Sequence, residues 1–433
     1  MRRYDIAKLN NKELRELCNR PAITFDSVLP VVQAIVDDVK QNGDKGVKRY
    51  EAKFGSQNVD NLLVSEQEII EAYARIPEDI KLAFAQAAKN IEKFHRVQLR
   101  QEPKIETMPG VTCFAEMRGI EKVGLYIPGG TAPLPSTVLM LSIPARLAGC
   151  QKIVLCTPSK NGRVPDIILC AAQLCGITKI FKIGGAQAIA AMAYGTESVP
   201  KVYKIFGPGN QYVTAAKMLA SIDPEGAAID MPAGPSEVLV VADKNARTDF
   251  VAADLLAQAE HGIDSQVVLV SDSPAKIDEV LVEIQKQLQI LSRKDIAAGA
   301  LMNSFTLLVP SLQTAVEFSN QYAPEHLILN TRNADQLVGS VVNAGSVFVG
   351  PFSCESAGDY ASGTNHSLPT YGYAQAYSGV SVASFQKRIT FQQVTLQGAA
   401  NIGPIVTTMA TEESLDAHRH AMELRLACQR AIF

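Results

Sequence analysis

From Lys122 onward, short β-rich runs alternate with helix-length stretches, and this alternation limits the possible folds more than any other feature of the chain. A first set reads VGLYIP, IVLCTP, IFKIGG and VYKIFG; a second reads VLVVAD, VVLVSD, TLLVP, LILN and SVFVG. Strands separated by helices pair in parallel, because a parallel neighbour needs a long crossover connection. Each set is about one small α/β unit long. The expected class is therefore α/β: two Rossmann-like domains with mostly parallel sheets flanked by helices, plus small helical segments at the two ends. The similarity of the two sets suggests duplication, although no residue-level repeat establishes it.

Pro and Gly punctuate the segment Pro232–Ala233–Gly234–Pro235, which marks a boundary. The expected organisation is a helical lead-in over residues 1–25 and a Rossmann-like metal and substrate domain formed by 26–121 with 236–375. A second Rossmann-like domain covers 122–235, and a C-terminal tail domain covers 376–433. Within 26–98 the pattern is helical. VVQAIVDDVKQNG ends in a glycine suited to a left-handed cap, and LLVSEQEIIEAYARI starts from Ser65 as N-cap. His95, between Lys93 and Arg96, reads as part of a solvated helix face. After Thr370 the chain reads as irregular, closing with a helix from about Glu412 to Arg430 capped by Thr411.

A chain of 433 residues with 47% hydrophobic content can bury sizeable cores, and its net charge of −3 comes from interspersed acids and bases. No Lys/Arg-rich block is present, which argues against nucleic acid as the main partner. The N-terminal MRRYDIAKLNNKELREL has no apolar core, so neither a signal peptide nor a membrane anchor is expected. Apolar runs are broken well before the ~18 residues of a membrane span. The eight cysteines are scattered without a Cys-x-x-Cys pair, which reads as free, buried thiols in a reducing cytoplasm.

Only six histidines occur, and several lie among other polar groups. In LLAQAEHGID, Gln258 and His261 are three apart at a helix end, so both reach one face and can touch the same small ion. Two ligands do not make a site, and for the pair taken alone a polar helix end capped by Gly262 is the plainer explanation. The Gly-rich stretch SAGDYASGTNHSLPT, which carries Asp359 and His366, follows the run SVFVG. Loops at the carboxyl ends of parallel strands are where open α/β sheets bind ligands. In YAPEHLILN, Glu325 and His326 are adjacent, and adjacent strand residues face opposite ways, so they converge only within a turn. An imidazole that titrates near neutrality is a natural general base. His418 and His420 are two apart on a helix and point to different faces; spacing does not choose between them. The run IFGPGNQYVTAAK leads from strand through a Gly-rich turn into a helix whose first amides suit a phosphate. It is not the dinucleotide fingerprint, because Tyr212 stands at the third glycine position. IGGAQAIA and YIPGGTAP offer further turns of the same type.

The long run IDMPAGPSEVLVVADKNARTDFVAADLLAQAEHG, with VGLYIPGGTAPLPSTVLM, GPGNQYVTAAK, YAPEHL, SAGDYASGTNH and ESLDAHRHAMELR, resembles the histidinol dehydrogenase family over nearly the whole chain. Cys354 stands where a proline or another small loop residue is expected. The resemblance implies oxidation of L-histidinol to L-histidine through L-histidinaldehyde, with two NAD consumed, as the last step of histidine biosynthesis. It implies one Zn2+ per subunit, held by Gln258, His261, Asp359 and His418, although such ligand types equally permit Mn, Co or Ni. It implies His326 as base and Glu325 as activator of water. Tyr126, Gln187 and Asn210 would contact NAD. Ser236, Glu413 and His418 would contact substrate, together with Gln258, His261, His326 and Asp359. A cytoplasmic homodimer is implied, its C-terminal residues completing the partner's site. Two other readings of the same residues are a zinc-dependent hydrolase using Glu325 on water, and a non-enzymatic metal-stabilised assembly.

Overall fold

The computed structural model describes residues 1–20, 25–55, 61–129, 133–232 and 234–432. In chain order the strands are β1 (Arg2–Asp5), β2 (Ile105–Met108), β3 (Val111–Gly119), β4 (Lys122–Tyr126) and β5 (Lys152–Thr157). They continue with β6 (Lys179–Lys182), β7 (Lys204–Phe206), β8 (Ala228–Ile229), β9 (Glu237–Ala242) and β10 (Gln266–Ser271). The last are β11 (Phe305–Leu308), β12 (His326–Asn330), β13 (Ser346–Val349) and β14 (Gln386–Val394). The chain divides into two compact units, 1–96 with 120–385 and 97–119 with 386–433.

The first unit holds two parallel sheets. A five-stranded sheet runs β6-β5-β4-β7-β8, and a six-stranded sheet runs β1-β11-β10-β9-β12-β13. Apart from β1, both follow one scheme: the first strand of each set is central, the second and third lie to one side, the fourth and fifth to the other. The two sets of β-rich runs thus follow one topology, completed in the five-stranded sheet by a two-residue strand, β8, that no run of the first set announced.

Burial on both faces explains why these strands read as near-continuous apolar runs. Every residue of β9 (EVLVVA) and β10 (QVVLVS) is buried. Their side chains alternate between two cores: Val238, Val240, Val267 and Leu269 face one, and Leu239, Val241, Val268 and Val270 face the other. In β5, Leu155 belongs to one core and Val154 with Cys156 to the opposite one.

Three expectations change. Residues 2–5 are not helical; they form β1, which extends the edge beside β11. The charges of RRYD hide the strand from an apolar-pattern reading, and they are tolerated because an edge strand keeps one side in water. Tyr4 is the anchor, packed edge-on against Phe305 with centroids 5.8 Å apart. The rest of the lead-in does contain a helix, Asn11–Cys18, started by a capping box between Asn10 and Glu13. Second, the helices of 26–96 do not join the sheet of 236–375. Val32, Ile35 and Val36 share a core with Ile189 and Ala215, and Ile69, Ala72 and Ile91 share one with Leu155 and Ile180. Helical periodicity shows that a face is apolar, not which sheet it will cover. Third, His95 is 0% exposed, with Nδ1 2.9 Å from the Ile91 carbonyl, rather than on a solvated face. The Ser65 cap stands as expected, accepting from the Glu68 amide, whereas Gly43, at φ +54° and ψ −132°, has a positive φ but not the left-handed helical cap conformation.

The second unit is an antiparallel ribbon, β14-β3-β2, followed by helices Leu396–Glu412 and Asp416–Ile432. The tail is therefore more regular than expected. Thr411 and Glu412 end the first of these helices instead of starting the last, and Ser414, at φ +58°, makes the corner. Gly398, Gly403 and Pro404 lie inside the earlier helix and disguise it as loop.

Among the described residues no helix is long and apolar enough to cross a membrane. Seven cysteines are free: Cys156, Cys170 and Cys175 are buried, whereas Cys18, Cys113, Cys150 and Cys354 are half-buried. Cys428, the Ala233 of the expected boundary and the residues Gly130, Thr131 and Ala132 of YIPGGTAP lie outside the described side chains or residues.

Candidate active site

The first unit contains a cavity of about 520 Å3 lined from both of its parallel sheets. From the five-stranded sheet come Pro128, which follows β4, and Asn210, which follows β7. These are carboxyl ends, as the rule for open α/β sheets predicts. From the six-stranded sheet come Ser236, just before β9, and Glu325 with His326, at the start of β12. These are amino ends, which corrects the expectation for that sheet. Gln258 and His261 reach the same edge from the end of the helix Thr248–Ala259, which leads toward the start of β10.

Two residues past that helix, the His261 amide donates to the Gln258 carbonyl at 3.3 Å, and the residue is exposed while its ring lines the cavity. Asp359 comes from the short helix Glu355–Tyr360, four residues after Glu355 and on the same face. Ligating atoms of His261, Glu355 and Asp359 lie within 4.8 Å of one another. Gln258 is fully buried beside them. A carboxylate only accepts hydrogen bonds, so the Gln258 amide nitrogen faces Glu355, donating to Oε1 at 2.6 Å and Oε2 at 3.1 Å. The amide oxygen is thereby left for another partner. Sequence reading missed Glu355. Its four-residue spacing from Asp359 was the available signal, but a six-residue helix is too short to show periodicity.

Glu325 and His326 converge because the chain turns just before β12, where Ala323 takes a left-handed φ of +51°. His326 Nδ1 lies 3.6 Å from Glu325 Oε2, and Nε2 lies 3.6 Å from Asp359 Oδ1. Nδ1 is also 3.3 Å from the Glu237 carbonyl, which can only accept. Nδ1 thus has two neighbours that ask opposite roles of it: the Glu237 carbonyl accepts, and the Gln258 amide nitrogen, 3.2 Å away, donates. Nε2 is buried without a hydrogen-bond partner among the described residues.

Burial governs the protonation of this cluster. It pushes the Glu325 and Glu355 carboxyls up to about 8 each, against the opposing pull of His326. Burial works the other way on His326, but Glu355, Glu325 and Asp359 outweigh it and raise the imidazole to about 10. Asp359, despite burial, is held below the usual range by His326. His261 and His366 are pushed down by burial. So many acids around one buried imidazole is an unbalanced charge set, and buried charges are costly unless compensated. A divalent cation fits it. The set offers a nitrogen and carboxylate oxygens at ligating separation, and a cation's charge would release His326 from its acids.

The expected nucleotide contacts are only partly in the cavity. Asn210 lines it, while its Oδ1 accepts from the amides of Tyr212 and Val213 at 3.1 Å each. Tyr126 and Gln187 are each 3% exposed. The Tyr126 hydroxyl accepts from the Gly185 amide at 3.0 Å, and Gln187 Nε2 donates to Glu51 at 2.8 Å. Glu51 also takes the Gly184 amide at 2.8 Å, so the start of the helix Gly185–Tyr194 already holds a carboxylate. The turn after β7 is locked. A Cβ on Gly207, at φ +125°, would come within 2.1 Å of the Tyr126 carbonyl oxygen. Lys217 pairs with Asp230 and donates to the Gly207 carbonyl at 2.9 Å. Glu413 and His418 belong to the second unit and are exposed there.

A sequence model described as histidinol dehydrogenase matches residues 18–426. A histidinol dehydrogenase of Bacteroides fragilis is 55% identical over 96% of this chain and 97% of that protein. One from Aliivibrio fischeri is 54% identical over 96% and 95%. A crystal structure of histidinol dehydrogenase from Elizabethkingia anophelis superposes with a TM-score of 0.96 at 50% identity, covering 99% of each chain. A family match spanning the cavity, both parallel sheets and the ribbon leaves one conclusion: this chain belongs to the histidinol dehydrogenase family.

Proposed function

We propose that the chain oxidises L-histidinol to L-histidine through L-histidinaldehyde, passing two hydrides to NAD, as the last step of histidine biosynthesis in the cytoplasm. The observation that carries this reading is the buried His326, its Nε2 unpartnered among the described residues and flanked by Glu325 and Asp359 in a cavity lined by both sheets.

His326 takes the hydroxyl proton of histidinol at Nε2 as hydride leaves the same carbon. Glu325 then removes a proton from water as the water oxygen bonds to the aldehyde carbon, and His326 returns its proton to the carbonyl oxygen. The resulting gem-diol gives its second hydride while His326 again takes a hydroxyl proton. General acid–base work of this kind is worth about a hundredfold to ten-thousandfold in rate. The nicotinamide, when bound, supplies the hydride acceptor. Asn210, which lines the cavity, would contact the dinucleotide, as would the buried Tyr126 and Gln187 in this reading. A zinc ion held by Gln258, His261 and Asp359, with Glu355 beside them, supplies Lewis-acid binding of the substrate when present. Ser236 lines the substrate side of the cavity.

Glu413 and His418 act, in this proposal, in the site of a partner subunit, His418 as a further zinc ligand. Their exposure in the single chain supports it. The test is steady-state turnover: two reduced nicotinamides should form per histidine. Absence of any turnover of histidinol by metal-loaded protein would sink the reading. A hydrolase using the same residues would need no NAD at all.

A further inference from the structure

Behind Glu325 lies a buried ion pair with no part in the steps above. Arg20 donates from Nε to Glu237 Oε2 at 2.7 Å and from Nη2 to Oε1 at 2.8 Å. Its Nη1 donates to the Cys18 carbonyl at 2.6 Å, and its guanidinium lies 3.5 Å above the ring of Tyr322. The side chains of Arg20 and Glu237 are 4% and 1% exposed. So deep a bidentate pair is rigid: the fork of the guanidinium fixes both carboxylate oxygens.

Glu237 opens β9 and Glu325 immediately precedes β12, which is paired to β9 in parallel. Each residue's amide is bound by the other's carboxylate. The Glu237 amide donates to Glu325 Oε2 at 2.9 Å, and the Glu325 amide donates to Glu237 Oε1 at 3.3 Å. One oxygen of Glu325 is thereby tied to the strand. Two carboxylates this close, both buried, repel unless a cation is present, and Arg20 is that cation.

We infer that Arg20 and Glu237 are positioning residues for Glu325: Arg20 fixes the Glu237 carboxylate, which holds the Glu325 amide and with it the main chain that carries the Glu325 side chain to the hydrating water. The inference rests on the proposed reaction and adds no bond change to it. It predicts an uneven defect. Hydration of the aldehyde needs Glu325, whereas the first hydride transfer needs His326.

The experiment uses the full-length, metal-loaded protein with histidinol and histidinaldehyde as separate substrates. In Arg20→Lys and Glu237→Gln, oxidation of histidinaldehyde should fall about tenfold to a hundredfold, the scale of a misplaced reacting group. Conversion of histidinol to the aldehyde should stay within about threefold of the original. Reduced nicotinamide per histidinol in a single turnover should fall from two toward one. The double variant Arg20→Met with Glu237→Gln leaves no buried charge unpaired and should show the same partition, even where a single variant folds poorly. A merely structural pair would lower both half-reactions alike. Equal loss in both, or loss in neither, overturns the inference. An inert original protein overturns the functional reading instead. Intact histidinaldehyde oxidation in Glu325→Gln overturns the role of Glu325, and the positioning role with it.

Discussion

The two parallel sheets of the first unit share one strand order but offer opposite ends to the cavity: carboxyl ends from the five-stranded sheet, amino ends from the six-stranded one. The difference follows what each edge carries. The carboxyl edge supplies turns that run into helices, such as the one after β7 that ends in Asn210. Their amides are already committed, to Asn210 in one helix and to Glu51 in another. The amino edge supplies titratable side chains: Glu325 and His326 at the start of β12, and His261 at a helix end. Similar topology therefore does not imply similar use. One edge presents amides that are already bonded, the other a cluster of titratable side chains.

The sharpest way to break this comparison is to remove the proposed base, His326, from the amino edge. His326→Asn should reduce kcat by about a hundredfold to ten-thousandfold while leaving the KM for NAD nearly unchanged. Steady-state kinetics in both substrates checks it, and a purely KM effect would contradict the division of labour. The next largest effect concerns the cation. Glu355→Gln cannot hold the Gln258 amide as a carboxylate does, and it removes a charge from the cluster. Zinc affinity should fall about tenfold to a hundredfold, the usual cost of losing a group that orients a ligand. Competition with a chelator, followed by metal analysis, measures this without any assay of activity.

On the carboxyl edge the expected effect is smaller. Asn210→Ala should raise the KM for NAD by about twofold to tenfold, the value of one hydrogen bond, with kcat preserved. The same change removes a helix cap, costing about 1 kcal/mol of stability that thermal unfolding would show. A rise in the KM for histidinol instead would assign this edge to the substrate. The smallest effect is in pH dependence. Burial raises the Asp254 carboxyl, one helical turn before Gln258, to about 7 from an ordinary 3.8. The folded state binds this proton more tightly than the unfolded state. Its contribution is fully present below the unfolded value and is lost as pH rises through about 7. Asp254→Asn should therefore stabilise the protein more at pH near 8 than near 5, read as the difference in denaturant midpoints.

Residues near each other in sequence were legible. Gln258 and His261 share a helix end, and Glu325 and His326 are neighbours, so spacing alone was enough to mark each pair as a candidate. The strands β9 and β10 were legible because both faces are buried and every position after the first, Glu237 in one and Gln266 in the other, is apolar or small. Where one side of a strand meets water the signal faded: β1 is charged, and β3 and β14, with RG and QKR in their sequences, give no clean alternation. Glu355 was silent because a short helix gives no periodicity. Arg20 and Glu237 were silent because 217 residues separate them, and nothing local marks either as paired.

By itself, the sequence determined what local chemistry can dictate. It set the alternation of strand and helix, the cap at Ser65, the family resemblance and the residue types able to hold a cation or take a proton. Only the tertiary structure decided which ends of the strands face the cavity, which sheet the helices of 26–96 cover, and that Arg20 stands behind Glu325. Those outcomes depend on how apolar faces find one another across long stretches of chain. A hydrophobic face carries no address, because burial rewards any complementary apolar surface.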